Sequence, residues 1–165
     1  MSSLVGSFLV AGPPLDASKF RQAVVLVMQH RKEGTFGLVV NRPGTQTGQS
    51  FQIFSGGPCK AHGLLMLHGH AEWHSSEMPV REVASGIYVG DFACVKRVSE
   101  SADQEAYRFR MFNGYACWNR GQVEAEQAAG IWTVVPADSQ LLFDTAVEEL
   151  WDLLSPPRLP QPSRN

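Results

Sequence analysis

The chain has few charged residues and no excess of basic ones, which excludes a typical nucleic-acid-binding domain. Asp, Glu, Lys and Arg make up 18% of the 165 residues, the formal net charge is -2 and the isoelectric point is about 6.2. Domains that bind nucleic acid directly usually carry a basic face or a high isoelectric point. The basic pair Arg31-Lys32 is therefore predicted to be a solvated strand end rather than a phosphate clamp. We expect no direct contact with nucleic acid.

Long apolar runs are also missing, and cysteine is scarce. No apolar run approaches the roughly 20 residues that span a bilayer, and the N-terminus lacks the basic start of a signal peptide. The three cysteines, Cys59, Cys94 and Cys117, lack the paired spacing of a disulfide framework. We therefore expect a cytoplasmic protein with reduced thiols and no membrane partner.

Cys117 has some features of a reactive thiol. It lies close to Arg120 and before a predicted helix, and a helix dipole and a nearby cation can lower the pKa of a thiol. No histidine is adjacent in sequence, so no triad supports a nucleophile. The alternative is a small, half-buried apolar residue, which is how free cysteine usually behaves.

The length and the apolar pattern predict one α+β domain, because neither an internal repeat nor a linker interrupts the chain. Ala23 to Met28 is a nearly continuous apolar run rich in β-branched residues, which predicts a strand buried on both faces. Tyr107 to Phe112 alternates aromatic and charged residues, which predicts a half-exposed strand. We predict a single domain over residues 1–155 and a flexible proline-rich tail over residues 156–165.

Helix signals are fewer. A helix is predicted from Gly121 to Ala129, because the Gln, Glu and Ala residues in this segment have high helix propensity. Asp144 could cap a last helix, with Glu148 in the capping-box position. The segment from Phe92 to Val98 is compatible with either a strand or a short helix.

The segment from Asn113 to Gln122 concentrates two aromatic residues, two glycines and four polar side chains directly before a helical pattern. We interpret it as a loop that is either a structural corner or part of a binding surface. Tyr115, Trp118 and Gln122 are the best recognition candidates, since Tyr and Trp supply large, stiff contact area with a polar end. The alternative is that both rings plug a sheet end and Gln122 closes the loop.

Two further segments complete the predicted binding surface. Arg42 offers a planar, charged group suited to a carboxylate or phosphate; the alternative is that Asn41 satisfies the turn backbone and Arg42 pairs with a surface acid. Gly56 and Gly57 are predicted to form a turn rather than a phosphate-binding loop. A phosphate-binding loop would lead into a helix, whereas the pattern of the next segment predicts a strand. The predicted binding residues are Asn41, Arg42, Gly56, Gly57, Tyr115, Trp118 and Gln122.

One histidine cluster has metal-like spacing. Alternate strand residues share a face, so His68 and His70 could ligate one ion, with His74 closing the site and Glu72 acting as a base. The cluster lacks the helical spacing of His-Glu-x-x-His. The alternative is that His68 ends a buried strand and the other residues lie on a polar loop. We predict no metal and no cofactor, with a metal-dependent hydrolase as the second hypothesis.

A series of short motifs lies in fixed order along the chain. They are Gly6-Ser7-Phe8-Leu9-Val10-Ala11, Gly37-Leu38-Val39-Val40-Asn41-Arg42-Pro43, Gly56-Gly57-Pro58, Gly114-Tyr115-Ala116 with Trp118, and Pro136-Ala137-Asp138. In this order and spacing they resemble the AlgH/YqgE family of bacterial proteins, from Gly6 to Leu154. The chain departs from that family in a shorter segment between Pro43 and Gly56, which lacks the usual helix, and in its additional histidines, His70 and His74.

The resemblance implies an α+β fold with a mixed, largely antiparallel, bifurcated sheet that curls into a pseudo-barrel flanked by helices. It also implies a function that is essentially unassigned, although members are often labelled transcriptional regulators and lack a recognisable DNA-binding module. We therefore predict a non-enzymatic binding or regulatory protein that acts without a DNA-binding motif. Its partner would be an unidentified protein or small molecule, and it would be a monomer or a weak homo-oligomer.

Overall fold

The computed structural model describes residues 3–44, 51–73 and 81–156, which contain ten strands and four α-helices. No helix in these ranges is both long and apolar enough to cross a membrane. The strands are β1 (Ser7–Ala11), β2 (Val24–Arg31), β3 (Gly34–Val39), β4 (Ile53–Ser55), β5 (Leu65–His68), β6 (Arg81–Ala84), β7 (Ile87–Gly90), β8 (Phe109–Asn113), β9 (Ala116–Asn119) and β10 (Trp132–Pro136). The helices are α1 (Phe92–Ser99), α2 (Gln122–Ala128), α3 (Ser139–Phe143) and α4 (Leu150–Leu154).

The first sheet has the strand order β10-β1-β2-β3-β9 and is antiparallel throughout. Its central strand β2 is the apolar run predicted to be buried on both faces, and Val24 to Val27 have no exposed surface. Alternate residues of this strand enter two different cores, because side chains alternate across a strand. One core lies between the sheets, and the other lies on the outer face of the first sheet.

The second sheet has the order β4-β8-β5-β7-β6, with a parallel β4–β8 pair among antiparallel ones. Its inner face supplies Phe54, Leu67 and Phe112 to the core between the sheets. Isolated bridges join the two sheets, one between Pro43 and Phe54 and another from Ser85 to Asp138. The predicted α+β class with a mixed, largely antiparallel sheet is confirmed; within the described residues the two sheets do not close into a barrel.

Several local predictions need correction. The segment predicted as a loop before α2 contains strand β9, which pairs with β3 at the sheet edge. The ambiguous segment after β7 is helix α1, because the Asp91 side chain caps it by accepting the Cys94 N–H at 3.0 Å. Asp144 does not begin the last helix; it follows α3 and binds Arg108 at 2.8 Å, and the final α-helix begins at Leu150.

The single-domain boundary at residue 155 stays a prediction, and most of the proline-rich tail lies outside the described residues. Residues 45–50, where the family resemblance would place a further helix, also lie outside them.

Candidate functional site

Asn41 and Arg42 lie after β3 and bind the connection between β1 and β2. The Asn41 side chain accepts the Val24 N–H and donates to the Gln22 carbonyl, both at 2.9 Å. The Arg42 guanidinium donates to two carbonyls of the same connection, one of them that of Arg21 at 2.8 Å. Asn41 thus satisfies nearby backbone groups, whereas Arg42 binds carbonyl oxygens instead of a surface acid.

Gly56 and Gly57 lie where the two sheets meet. The Gly56 N–H donates to the Asn113 carbonyl at the end of β8, and its carbonyl accepts the Val39 N–H at the end of β3, both at 2.8 Å. Gly57 follows with φ of +146° and touches the backbone of Tyr115. The glycines therefore allow a close backbone approach between the sheets.

Trp118 is almost completely buried, with 4% of its surface exposed. Its ring stacks on Phe20 with centroids 6.1 Å apart and meets the edge of Trp132 at 5.8 Å. These three rings fill the outer core between the first sheet and the elements that cover it. Trp118 therefore packs as a core residue.

Tyr115 and Gln122 also make internal contacts. The Tyr115 ring lies 5.1 Å from Phe36 and packs against the core between the sheets. The Gln122 side-chain oxygen accepts the Asn119 N–H at 2.9 Å and so closes the turn between β9 and α2. All seven predicted binding residues thus have structural contacts, and their binding role stays a prediction.

His68 and His70 lie close together, with their ring centroids 6.2 Å apart. Their ring nitrogens, however, already form hydrogen bonds within the protein. His68 Nδ1 accepts the backbone N–H of His70 at 3.1 Å, and His70 Nε2 accepts that of Arg108 at 2.9 Å. His70 Nδ1 lies 3.2 Å from the Glu72 carboxylate, which assigns the ring proton to that nitrogen. Since a neutral imidazole has one lone pair, neither ring has one left for a metal ion.

An aromatic cluster surrounds these histidines. The Trp73 ring stacks on His70 with centroids 4.1 Å apart and contacts His68 with centroids 5.0 Å apart. The Tyr88 ring stacks on His68 with centroids 5.7 Å apart. Among the described residues, no group of three or more His, Cys, Asp or Glu side chains is placed to hold a metal ion. His74, the third predicted ligand, lies outside the described residues. The described part of the cluster is therefore a packing element, which argues against the hydrolase hypothesis.

Burial of His68 makes stability depend on pH. Desolvation, followed by the nearby His70, lowers the pKa of His68 from 6.5 to about 4. The unfolded chain therefore binds a proton below pH 6.5 that the folded chain excludes until about pH 4. We expect His68 to lower the free energy of unfolding by about 3 kcal/mol as pH falls through this window.

Urea unfolding at several pH values measures this change. The matched variant is His68→Asn, whose side-chain oxygen can still accept the His70 N–H but does not titrate. Carboxylates distant from His68 contribute equally to both proteins, so the difference between the two pH slopes reports His68 together with its interaction with Glu72 and Asp91. Parallel slopes for the two proteins between pH 6.5 and 4 would contradict the expectation.

A pocket of about 330 Å³ lies between the β2–β3 turn and the β9–α2 turn. We call it the cationic pocket; its lining residues are Ser3, His30, Arg31, Lys32, Arg120, Gly121 and Glu124. Sequence reasoning missed it because the first turn was predicted to be a solvated strand end. The second turn lies within the polar segment from Asn113 to Gln122, which the sequence did indicate as a possible binding surface.

A short hydrogen bond forms the wall of the cationic pocket. His30 Nδ1 accepts the Leu4 N–H at 3.0 Å, so the ring proton is on Nε2, which lies 2.5 Å from the Glu124 carboxylate. The His30 side chain is 8% exposed and that of Glu124 is 26% exposed. The pair ties α2 to β2, and it leaves His30 without a free lone pair.

The cations of this pocket lack an acidic partner within the described ranges. The ion pairs found there are His30–Glu124, His70–Glu72 and Arg108–Asp144. None of them includes Arg31, Lys32 or Arg120, which are all exposed. Three unpaired cations therefore face one space whose only lining carboxylate, that of Glu124, already binds His30.

A larger groove of about 570 Å³ also contains arginines, but they bind the protein itself. Arg108 donates to Asp144 at 2.8 Å and to the Ser139 carbonyl at 3.2 Å. Arg110 donates to the Phe109 carbonyl at 3.0 Å. The cationic pocket is therefore the better candidate for an external anion.

Comparisons with a family model and with individual proteins point to the same family. A family model described as AlgH-like matches residues 8–155. The UPF0301 protein of Psychrobacter cryohalolentis is 31% identical over 177 residues, which cover 92% of this chain and 88% of that protein. A UPF0301 protein of Shewanella sp. strain ANA-3 is 30% identical, over 94% of this chain and 91% of its own.

Two solved structures share the fold. The solution structure of the AlgH protein from Pseudomonas aeruginosa matches with a TM-score of 0.69 and 26% identity, covering 93% of this chain and 89% of that one. The crystal structure of protein DIP2367 from Corynebacterium diphtheriae matches with a TM-score of 0.74 over 97% of this chain and 90% of that one. At 19% identity, the second match is evidence of the fold alone.

Proposed function

This chain belongs to the AlgH-like family, and we propose that it is a non-enzymatic cytoplasmic protein that binds a small anionic molecule in the cationic pocket. Ligand binding would serve a regulatory role through a protein partner. Direct DNA binding is not proposed, because an isoelectric point of about 6.2 is lower than that of typical DNA-binding domains. The observation that carries the proposal is the convergence of Arg31, Lys32 and Arg120 without an acidic partner among the described residues.

The charge of the pocket contrasts with that of the whole chain. The chain has a net charge of -2, whereas the pocket combines three cations with one carboxylate. Arginine suits the planar, two-oxygen geometry of carboxylates and phosphates, and lysine adds a flexible point charge. A volume of about 330 Å³ matches a small metabolite rather than a polymer. The ligand class is therefore a small carboxylate or phosphate ester.

The hydrogen bonds of three histidines support a binding role rather than catalysis. His30, His68 and His70 each accept a backbone N–H through one ring nitrogen. None of the three therefore has a lone pair free to act as a general base or metal ligand in this arrangement. Metal-dependent hydrolysis of simple esters or phosphates by the purified protein would contradict this part of the proposal.

Replacement of Arg120 tests the pocket directly. We expect Arg120→Ala to weaken binding of inorganic phosphate or citrate by about tenfold or more, because it removes a charge-assisted hydrogen bond. Calorimetric titration of the untagged chain measures this change at low and physiological salt.

The matched control is Arg81→Ala, which removes another exposed arginine, on edge strand β6 of the other sheet. It changes the net charge by the same amount, so it should leave the affinity within about twofold if binding is local. Equal weakening in both variants, or no saturable binding of either anion, would contradict the proposed site.

A further inference from the structure

Cys59 and Cys117 lie side by side although 58 positions separate them in sequence. Their sulfur atoms are 2.7 Å apart, well inside the distance at which two unbonded sulfur atoms rest. A disulfide bond is about 2.0 Å long, so the two thiols need only a small movement to reach it. The sequence predicted unpaired thiols, and the pairing is visible only in the fold.

The backbone fixes this approach. Cys59 and Tyr115 face each other as an isolated antiparallel bridge, and each N–H donates to the other's carbonyl, at 2.9 and 3.1 Å. Cys117 lies two residues after Tyr115, and in extended chain alternate side chains share a face. The close contact of Gly57 with the Tyr115 backbone brings the Cys59 turn against β9. The sulfur atoms therefore meet because the two segments are bonded together beside them.

We propose that Cys59 and Cys117 form a redox-active dithiol that closes to a reversible intramolecular disulfide. The oxidant is a small-molecule disulfide of the glutathione class. The Cys117 thiol loses its proton and attacks one sulfur of the oxidant, which forms a mixed disulfide and releases one small thiol. Cys59 then attacks the Cys117 sulfur and releases the second small thiol. The oxidant gains two electrons and two protons, and the protein loses the same number.

Solvent exposure favours this order of attack. Cys117 is exposed and Cys59 is half-buried, so the oxidant reaches Cys117 more easily. The hydrogen bond with Cys59, followed by desolvation, raises the pKa of Cys117, so Cys117 is not the low-pKa thiol that its position near Arg120 could have produced. The first step should therefore accelerate as pH rises, because the thiolate is the nucleophile. Once the mixed disulfide exists, the neighbouring thiol is already within bonding reach.

The third cysteine has a different environment. Cys94 is 5% exposed and lies 3.9 Å from His68 Nε2, and burial raises its pKa. It belongs to a separate core and faces neither of the other sulfurs. Cys94 therefore provides an internal reference thiol that should stay reduced in the folded protein.

The disulfide would link two parts of the fold that now meet only through noncovalent contacts. Cys59 lies on the connection from β4 to β5 in the second sheet, and Cys117 lies in β9 at the edge of the first. Oxidation would fix the separation of the two sheets at this end. It would also close a covalent loop of about 60 residues, which restricts the unfolded chain strongly.

The experiment uses the full chain equilibrated in glutathione buffers of graded redox potential. Acid quenching, alkylation and peptide mapping without reductant then locate each thiol. We expect Cys59 and Cys117 to become protected together, in one peptide pair, while Cys94 stays alkylatable after denaturation. Dithiothreitol should restore both thiols. Mixed disulfides alone, or intermolecular dimers alone, in the wild-type protein would overturn the proposal.

Single serine variants provide the matched controls. Cys59→Ser should accumulate a stable glutathione adduct at Cys117, because no second thiol can displace it. Cys94→Ser should form the internal disulfide as readily as the wild type. Equal lifetimes of the Cys117 adduct in the wild type and in Cys59→Ser would show that Cys59 does not attack it and would overturn the proposal. Loss of folding in a variant would not confound the result, since the wild-type mapping stands by itself.

Discussion

Trp118→Ala should lower the free energy of unfolding by about 3–5 kcal/mol, the range measured for removal of a buried tryptophan. The side chain is 4% exposed, and its ring packs between Phe20 and Trp132. Removal would leave a cavity beneath α2 that the surrounding strands cannot close, because β9 is held in register with β3. Chemical denaturation followed by circular dichroism measures the change.

The neighbouring residue on β9 supplies the control for this prediction. Cys117→Ala changes an exposed side chain on the opposite face of the same strand, so in reducing buffer, where no Cys59–Cys117 disulfide forms, it should alter the free energy of unfolding by less than about 1 kcal/mol. A Trp118→Ala protein as stable as Cys117→Ala would show that the outer core does not depend on this ring.

This prediction also decides how binding should be tested. Trp118 was predicted as a recognition residue, but a variant that loses several kcal/mol can lose a partner through partial unfolding alone. Loss of binding in Trp118→Ala would therefore not identify a contact surface. Arg120 is exposed and makes no ion pair among the described residues, so its removal tests recognition without a comparable loss of stability.

The strands that the sequence predicted are those whose signal is local. Val24 to Met28 are buried on both faces, and such burial requires the continuous apolar run that the sequence displays. Strand β9 also alternates, since Ala116 and Trp118 are buried while Cys117 and Asn119 are exposed. Its four residues are too few for this pattern to stand out from a loop, and it pairs on one side only.

The candidate sites depend on long-range pairing and therefore could not be predicted. His30 and Glu124 are separated by 94 positions, and they meet because α2 packs on the outer face beside β2. The two reactive thiols likewise meet through a bridge between the sheets. Histidine spacing, in contrast, predicted the proximity of His68 and His70 but could not reveal that backbone N–H groups occupy their lone pairs.

Gly57→Ala should lower the free energy of unfolding by about 3–5 kcal/mol, because strain and overpacking act together at this position. Gly57 has φ of +146°, a conformation that residues with a side chain rarely adopt. A Cβ atom there would lie 2.3 Å from the carbonyl carbon and oxygen of Tyr115 and 2.5 Å from the Ala116 nitrogen. All three are backbone atoms, so no side-chain rotation relieves the overlap.

Gly63→Ala separates the two contributions. Gly63 has a similar φ of +154°, but nothing lies within 4 Å of a Cβ placed there. Gly63→Ala should lose only the strain contribution, about 1–3 kcal/mol. Equal losses for the two variants, measured by urea unfolding, would show that the Tyr115 backbone yields to the added atom. A much larger loss for Gly57→Ala would show that the glycine is required by close backbone packing between the sheets, whether or not a ligand also binds there.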